Sequence, residues 1–155
     1  IVALMQSTDE DIVAVLPQPF ATVAQTQVEG LHTVMDLNEA WNALDNGSQI
    51  VTGVIVARTE FVEKYPKHVE AFLKEYSESI DYVVNNPADA ATLIENVGIV
   101  KAAVAEKALP YCNITYLDGD EMKNAVNGYL TVLYEQNPKA VGGELPGDNF
   151  YYTGK

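Results

Sequence analysis

The sequence predicts an α/β fold, with a mainly parallel sheet in the first third of the chain and flanking helices. Residues 12–16 (IVAVL) form a short apolar run that ends at Pro17, which is typical of a strand buried on both faces. Residues 51–57 (VTGVIVA) are strongly β-branched apart from Gly53. From Glu60 onward the apolar residues instead recur at steps of three and four, which indicates amphipathic helices. Strand and helix patterns that follow one another with short turns favour the α/β class.

The first third of the chain alternates between strand and helix patterns. The predicted order is a strand over 11–16, a helix over 20–27, a strand over 32–37, a helix over 38–44 and a strand over 51–57. Gly30 closes the first of these helices, and Asn38 is the predicted N-cap of the second. We therefore expect a small sheet, which is too small to cover the helices that follow.

The later two thirds of the chain are predicted to be mostly helical. Helices are expected over 69–84, 88–97, 101–109 and from 118 onward, with a short strand over 113–117. Asn86-Pro87, Gly98 and Pro110 stop the first three of these helices. The last helix begins at Asp118 and has an acidic first turn, as the helix dipole favours. The remaining tail is rich in turns.

Charge excludes several classes of partner. The chain has 9 Lys and Arg residues against 22 Asp and Glu residues, so its formal net charge is −13. Nucleic acid is a poor partner, because phosphate binding needs a concentrated basic surface. Anionic membrane surfaces are disfavoured for the same reason. No apolar run approaches the roughly 18 residues of a membrane span, and no signal-peptide pattern is visible.

The segment LPQPF places a polar side chain where a ligand would bind in an open sheet. Pro17 ends the strand and Pro19 suits the first helical position, so we expect Gln18 at the carboxyl end of the sheet. The free N–H groups of Phe20 and Ala21 would lie beside it. An amide that donates and accepts, next to an aromatic wall, suits a small polar or anionic organic ligand. The alternative is a tight strand-to-helix turn with Phe20 in the core.

Other chemistry-bearing residues do not form a recognisable cluster. The acidic run 118–121 (DGDE) lacks the spacing of a calcium loop, and His32 and His68 are far apart with no other ligand at metal-binding spacing. Cys112 is the only cysteine, so it excludes an internal disulfide, and no histidine lies near it in sequence. We expect no metal, no cofactor and no catalytic residue.

Three segments carry a resemblance to a known family. They are DIVAVLPQPFATVA (11–24), VTGVIVARTEFVEKYPKHVEAFLKEY (51–76) and YLTVLYEQNPKAVGGELPGDNFYY (129–152). With them, and over essentially its whole length, the chain resembles the second half of ABC transporter substrate-binding proteins, the type II periplasmic binding proteins. The nearest group looks like the binders of nitrate, sulfonates, taurine and thiamine precursors.

This resemblance implies a two-lobed fold closing on a ligand. Residues 1–50 would be the C-terminal part of the second α/β lobe. Residues 51–155 would be a returning hinge strand and the helical C-terminal part of the first lobe, with the N-terminal half of the protein absent. Carried over to matching positions, the ligand would contact Pro17, Gln18, Pro19, Phe20, Thr52 and Gly53. Thr52 would hydrogen-bond the ligand, and Gly53 would permit its close approach to the backbone.

The function that the resemblance implies is transport without chemistry. The chain would be an extracytoplasmic solute-binding component of an ABC importer, in the periplasm or lipid-anchored at the cell surface. It would deliver a small polar organic ligand to a membrane permease and would not be an enzyme. We also expect that a half protein with an exposed cleft would dimerise. The alternatives are an enzyme similar to the thiamine-pyrimidine synthases, which share this architecture, and a ligand-sensing domain.

Overall fold

The computed structural model describes residues 2–7 and 11–154, and the regular structure in them is helical. The α-helices are α1 (Val2–Gln6), α2 (Phe20–Gln27), α3 (Leu37–Asn42), α4 (Thr59–Lys64), α5 (Pro66–Asn85), α6 (Pro87–Asn96), α7 (Ala102–Ala108) and α8 (Gly119–Gln136). Short 3-10 helices cover Leu109–Tyr111, Pro138–Val141 and Asp148–Phe150.

The predicted sheet is not present in these residues, so the prediction of an α/β fold with a parallel sheet was wrong. Residues 11–16, 51–57 and 113–117 have no regular structure, and residues 32–37 run into the start of α3. Across residues 2–7 and 11–154, no backbone hydrogen bond joins any two of these stretches as a ladder. A strand depends on such a ladder, and none forms here.

The predicted strands fail because their side chains meet no second layer. Val13 is 85% exposed, although its strand was expected to be buried on both faces, and Val56 of the third predicted strand is 79% exposed. β-Branched residues favour a strand mainly by packing against neighbouring strands, and an isolated strand gains little from them. A β-branched composition was therefore not sufficient to make these segments strands of a sheet.

The predicted helices are largely confirmed. α2 covers the predicted range 20–27, and the long amphipathic helix is α5, which ends one residue before Asn86. The N-cap of α3 is an exception. Asp36 Oδ1 accepts the backbone N–H groups of Asn38 and Glu39 at 2.8 and 3.2 Å. The cap is therefore Asp36, and the prediction of Asn38 was wrong by two positions.

The chain forms two compact units, each made of two stretches of the chain, and one of the boundaries between them falls within α5. The first unit combines the chain up to Thr33 with Leu73–Thr115. In it α6 packs on α7, and α2 and the 3-10 helix at 109–111 also contact α7. The side chains that these helices bury are small, and they include Ala24, Ala90, Ala91, Ala105 and Ala108. Small side chains let helix backbones approach closely, so this unit is held together by close contact between helices.

The second unit combines Val34–Phe72 with the chain from Tyr116 onward. Trp41 of α3 and Tyr129 of α8 stack with ring centroids 5.6 Å apart, and Trp41 Nε1 donates to Ser48 Oγ at 2.9 Å. Tyr151 of the tail is buried, and its hydroxyl bonds Asn127 of α8. The tail therefore packs against α8. The expected boundary at residue 50, and the expected missing N-terminal half, stay predictions.

Candidate functional site

The predicted ligand-binding turn, Pro17–Phe20, directly precedes α2 in the first unit. The Gln18–Pro19 peptide bond is cis. Gln18 Oε1 accepts hydrogen bonds from the Thr22 hydroxyl at 2.8 Å and from the Thr22 backbone N–H at 3.3 Å. The side chain therefore folds back over the first turn of α2 and satisfies one of its unpaired N–H groups.

The first turn of α2 leaves fewer N–H groups free than the sequence suggested. Ala21 N–H donates to the Pro17 carbonyl at 3.1 Å, so it is not free, as had been expected. The Phe20 N–H, by contrast, has no hydrogen-bond partner among the residues that the structure describes. One backbone donor remains at the start of the helix, where the helix dipole favours an oxygen acceptor.

Phe20 is 62% exposed, so the alternative in which this ring fills the core is wrong. Because Gln18 Oε1 is occupied by Thr22, the group that Gln18 can still offer a ligand is its Nε2 amide, a donor. The turn thus presents an open aromatic face, an amide donor and a backbone N–H within four residues. Together they suit a flat organic molecule that carries an oxygen acceptor.

Thr22 is the functional neighbour that sequence reasoning missed. It is buried, at 6% exposure, and it orients Gln18 through both of its hydrogen bonds. A usable signal was present, because a hydroxyl residue four positions after a glutamine lies one helical turn away from it.

The other two predicted site residues, Thr52 and Gly53, lie in the second unit on an exposed segment without regular structure. A Cβ added to Gly53 would meet nothing within 4 Å. Close approach of other chain atoms therefore does not explain the glycine. The ligand contacts expected of Thr52 and Gly53 stay predictions.

A cavity of about 490 Å³, which is open to solvent, lies in the first unit between α2 and α7. Its lining from α2 is Thr22, Gln25 and Thr26, and its lining from α7 and the following 3-10 helix is Glu106, Lys107, Pro110 and Tyr111. Thr22 therefore both orients Gln18 and lines this cavity.

Titratable groups elsewhere offer little for catalysis. Burial raises the pKa of the Cys112 thiol, and its Sγ donates to the Ala108 carbonyl at 3.3 Å, so both favour the protonated thiol. No group of three or more His, Cys, Asp or Glu side chains within residues 2–7 and 11–154 is placed to hold a metal ion. In the same residues, no helix has the length and apolar character needed to cross a membrane.

Comparison with known proteins identifies a family. The family model described as menaquinone biosynthesis matches residues 4–135, which is most of the chain and includes every predicted site residue. The search of curated proteins found no match, and the search of solved structures found none either.

This match overturns the resemblance to ABC transporter substrate-binding proteins. The expected solute-binding role, the membrane permease partner and the absence of enzymatic activity were wrong, because the matching family belongs to a biosynthetic pathway. The alternative of an enzyme agrees better with the match, although the pathway is menaquinone synthesis rather than thiamine-pyrimidine synthesis.

Proposed function

We propose that this chain, which belongs to the menaquinone biosynthesis family, is an enzyme that acts on a small organic intermediate of that pathway. The observation that carries the proposal is the family match over residues 4–135. The substrate-contacting residues that we propose are those of the Pro17–Phe20 turn, which lies inside the matched range.

The turn supports this role through three groups. Gln18 Nε2 and the Phe20 N–H have no acceptor among the residues that the structure describes, so they can hold a carbonyl or carboxylate oxygen of the substrate. The exposed Phe20 ring provides a face on which an unsaturated ring can stack. Pro17 and Pro19 fix the backbone on either side of Gln18, which limits the orientations that the amide samples. These groups bind and orient a substrate, and they do not supply a proton acceptor.

Deletion of the encoding gene tests the proposed function. We expect the deletion strain to lose menaquinone, measured by mass spectrometry of its lipid extract, and the intact gene to restore it. Normal menaquinone in the deletion strain, with no second member of the family in the genome, would refute the proposal.

Site variants introduced into the same strain test the turn. Gln18→Glu and Phe20→Ala should restore much less menaquinone than the wild-type gene, at equal protein abundance. Phe150→Ala is a matched control, because Phe150 is also exposed, at 60%, and lies outside the matched range. Full restoration by both site variants would leave the family membership intact and would remove the turn from the substrate site.

A further inference from the structure

We propose that the cavity between α2 and α7 binds a free aromatic amino acid, whose carboxylate contacts Lys107 and whose ammonium group contacts Glu106. This proposal does not depend on the proposed function. The volume of about 490 Å³ lies within the range of about 300–1,000 Å³ that is typical of small-molecule sites.

The charges in the cavity favour a ligand with both signs of charge. Glu106 and Lys107 are consecutive residues near the end of α7, and both line the cavity. Neither forms an ion pair with another residue that the structure describes. A singly charged ligand would satisfy one of them and crowd the other with a like charge. A zwitterion satisfies both.

The net charge of the chain also favours a zwitterionic ligand. At −13, the protein repels anions at long range, so a simple carboxylate would be attracted only by the local field of Lys107. A zwitterionic amino acid has no net charge, and the long-range field does not oppose its entry. Its carboxylate still gains the contact with Lys107 once it is inside.

The wall from α2 suits an ammonium group, which must donate three hydrogen bonds. The hydroxyl hydrogens of Thr22 and Thr26 are already committed, to Gln18 Oε1 and to the Val23 carbonyl respectively. Both hydroxyl oxygens keep lone pairs with which they can accept a hydrogen bond. With the Glu106 carboxylate they provide enough acceptors for an ammonium group on this side.

The remaining wall of the cavity favours a ligand with an aromatic side chain. Pro110 and Tyr111 supply flat apolar surface, and Tyr111 is 62% exposed. An aromatic ring stacks on such a surface, and a pair of rings attracts beyond the burial of its area. An aliphatic amino acid of similar charge lacks this contact.

Calorimetric titration of the full chain with three related compounds tests the assignment. The compounds are L-phenylalanine, 3-phenylpropanoate, which lacks the ammonium group, and phenethylamine, which lacks the carboxylate. We expect L-phenylalanine to bind more tightly than either analogue, by up to about fivefold, since an exposed charge pair contributes up to about 1 kcal/mol. Equal binding of the three compounds, or no binding of L-phenylalanine up to its solubility limit, would overturn the proposal.

Charge-neutralising variants locate the two contacts. Lys107→Gln should weaken L-phenylalanine binding without weakening phenethylamine, and Glu106→Gln should weaken L-phenylalanine without weakening 3-phenylpropanoate. Lys139→Gln, which removes a lysine of the second unit, is the matched control and should bind like the parent. If either site variant binds L-phenylalanine as the parent does, the assigned contact is wrong. The titration reads binding without turnover, so its failure does not bear on the enzyme proposal.

Discussion

The two polar atoms of the Gln18 side chain have different roles, and a substitution can separate these roles. Its Oε1 accepts two hydrogen bonds from Thr22 at the start of α2. Its Nε2 is the group that we assign to the substrate. A carboxylate in place of the amide keeps the acceptor and loses the donor.

Gln18→Ala should therefore lower the free energy of unfolding by about 1 kcal/mol, as loss of a helix-capping side chain does. Gln18→Glu should unfold at nearly the wild-type urea concentration, because an acid at a helix start is also favoured by the dipole. Both variants should lose enzymatic function. Equal destabilisation by the two substitutions would show that the acceptor is not what the helix needs.

The Lys123–Asp148 ion pair, at 2.8 Å, joins the C-terminal tail to α8. The hydrogen bond to Lys123, and then its charge, hold the pKa of the Asp148 carboxyl below its ordinary value. The hydrogen bond to Asp148 likewise raises the pKa of Lys123. A lowered carboxyl pKa contributes stability above the unfolded-state pKa, and that contribution is lost as the pH falls through the folded-state value.

Asp148→Asn should accordingly destabilise the chain at neutral pH. The difference in unfolding midpoint between wild type and variant should stay level from about pH 5 to about pH 9 and shrink below about pH 4. Urea unfolding across this range measures it. A difference that persists unchanged in acid would mean that the ion pair is not its source.

At the residue scale, the sequence predicted the position of the turn but not the hydrogen bonds that it forms. Two prolines around Gln18 predicted a helix start after an extended segment, and α2 begins there at Phe20. The hydrogen bond that occupies Ala21, and the one that turns Gln18 toward Thr22, depend on backbone angles that residue types do not specify. Local composition placed the candidate site, and three-dimensional structure determined which donors it leaves free.

At the scale of elements, the first unit depends on the close approach of α6 and α7. Ala90, Ala105 and Ala108 are almost completely buried, at 1–2% exposure. A larger side chain at these positions would force the helices apart, because interiors are packed too densely to absorb it.

Ala105→Leu should lower the free energy of unfolding by about 1–3 kcal/mol, the usual cost of overpacking. Ala103→Leu is the control, since Ala103 lies on the same helix with its side chain exposed. It should be close to neutral in the same denaturant titration. A neutral Ala105→Leu would show that α7 does not pack closely at this position.

Helices and strands differed in how far the sequence predicted them. The helix signals are local: Pro87 starts α6, Gly98 follows its end, and the apolar period of α5 extends over 20 residues. A strand has no such self-sufficient signal, because its hydrogen bonds go to another segment. Residues 51–57 have the β-branched composition of a strand and find no partner in the described chain.

At the scale of the whole molecule, net charge opposes compactness. With −13 charges, the chain repels itself, and added salt screens that repulsion. Raising the salt concentration from about 0.01 M to about 0.1 M shortens the screening length from about 30 Å to about 10 Å. The free energy of unfolding should rise over this interval. A fall would mean that the ion pairs lost to screening outweigh the repulsion removed.

Function was the property least accessible from single motifs. The segment LPQPF and the two longer segments with it suggested a transport protein, yet the continuous match over residues 4–135 belongs to a biosynthetic family. A short turn with a polar side chain can bind many organic molecules, so its chemistry limits the class of ligand but does not identify the pathway. Cys112 and the two histidines gave no catalytic signature from which an enzyme could be recognised.

The segment at residues 51–57, which has no regular structure, affects how easily proteases can cut the protein. Proteases bind their substrates as extended strands, and they require backbone groups that no other segment has already bonded. Residues 51–57 have no regular structure and no backbone hydrogen bond to another described residue, whereas the adjoining helices must unfold before they can be cut. We therefore expect limited proteolysis to cut this segment before it cuts the adjoining helices, which would separate residues 34–50 from the rest of their unit.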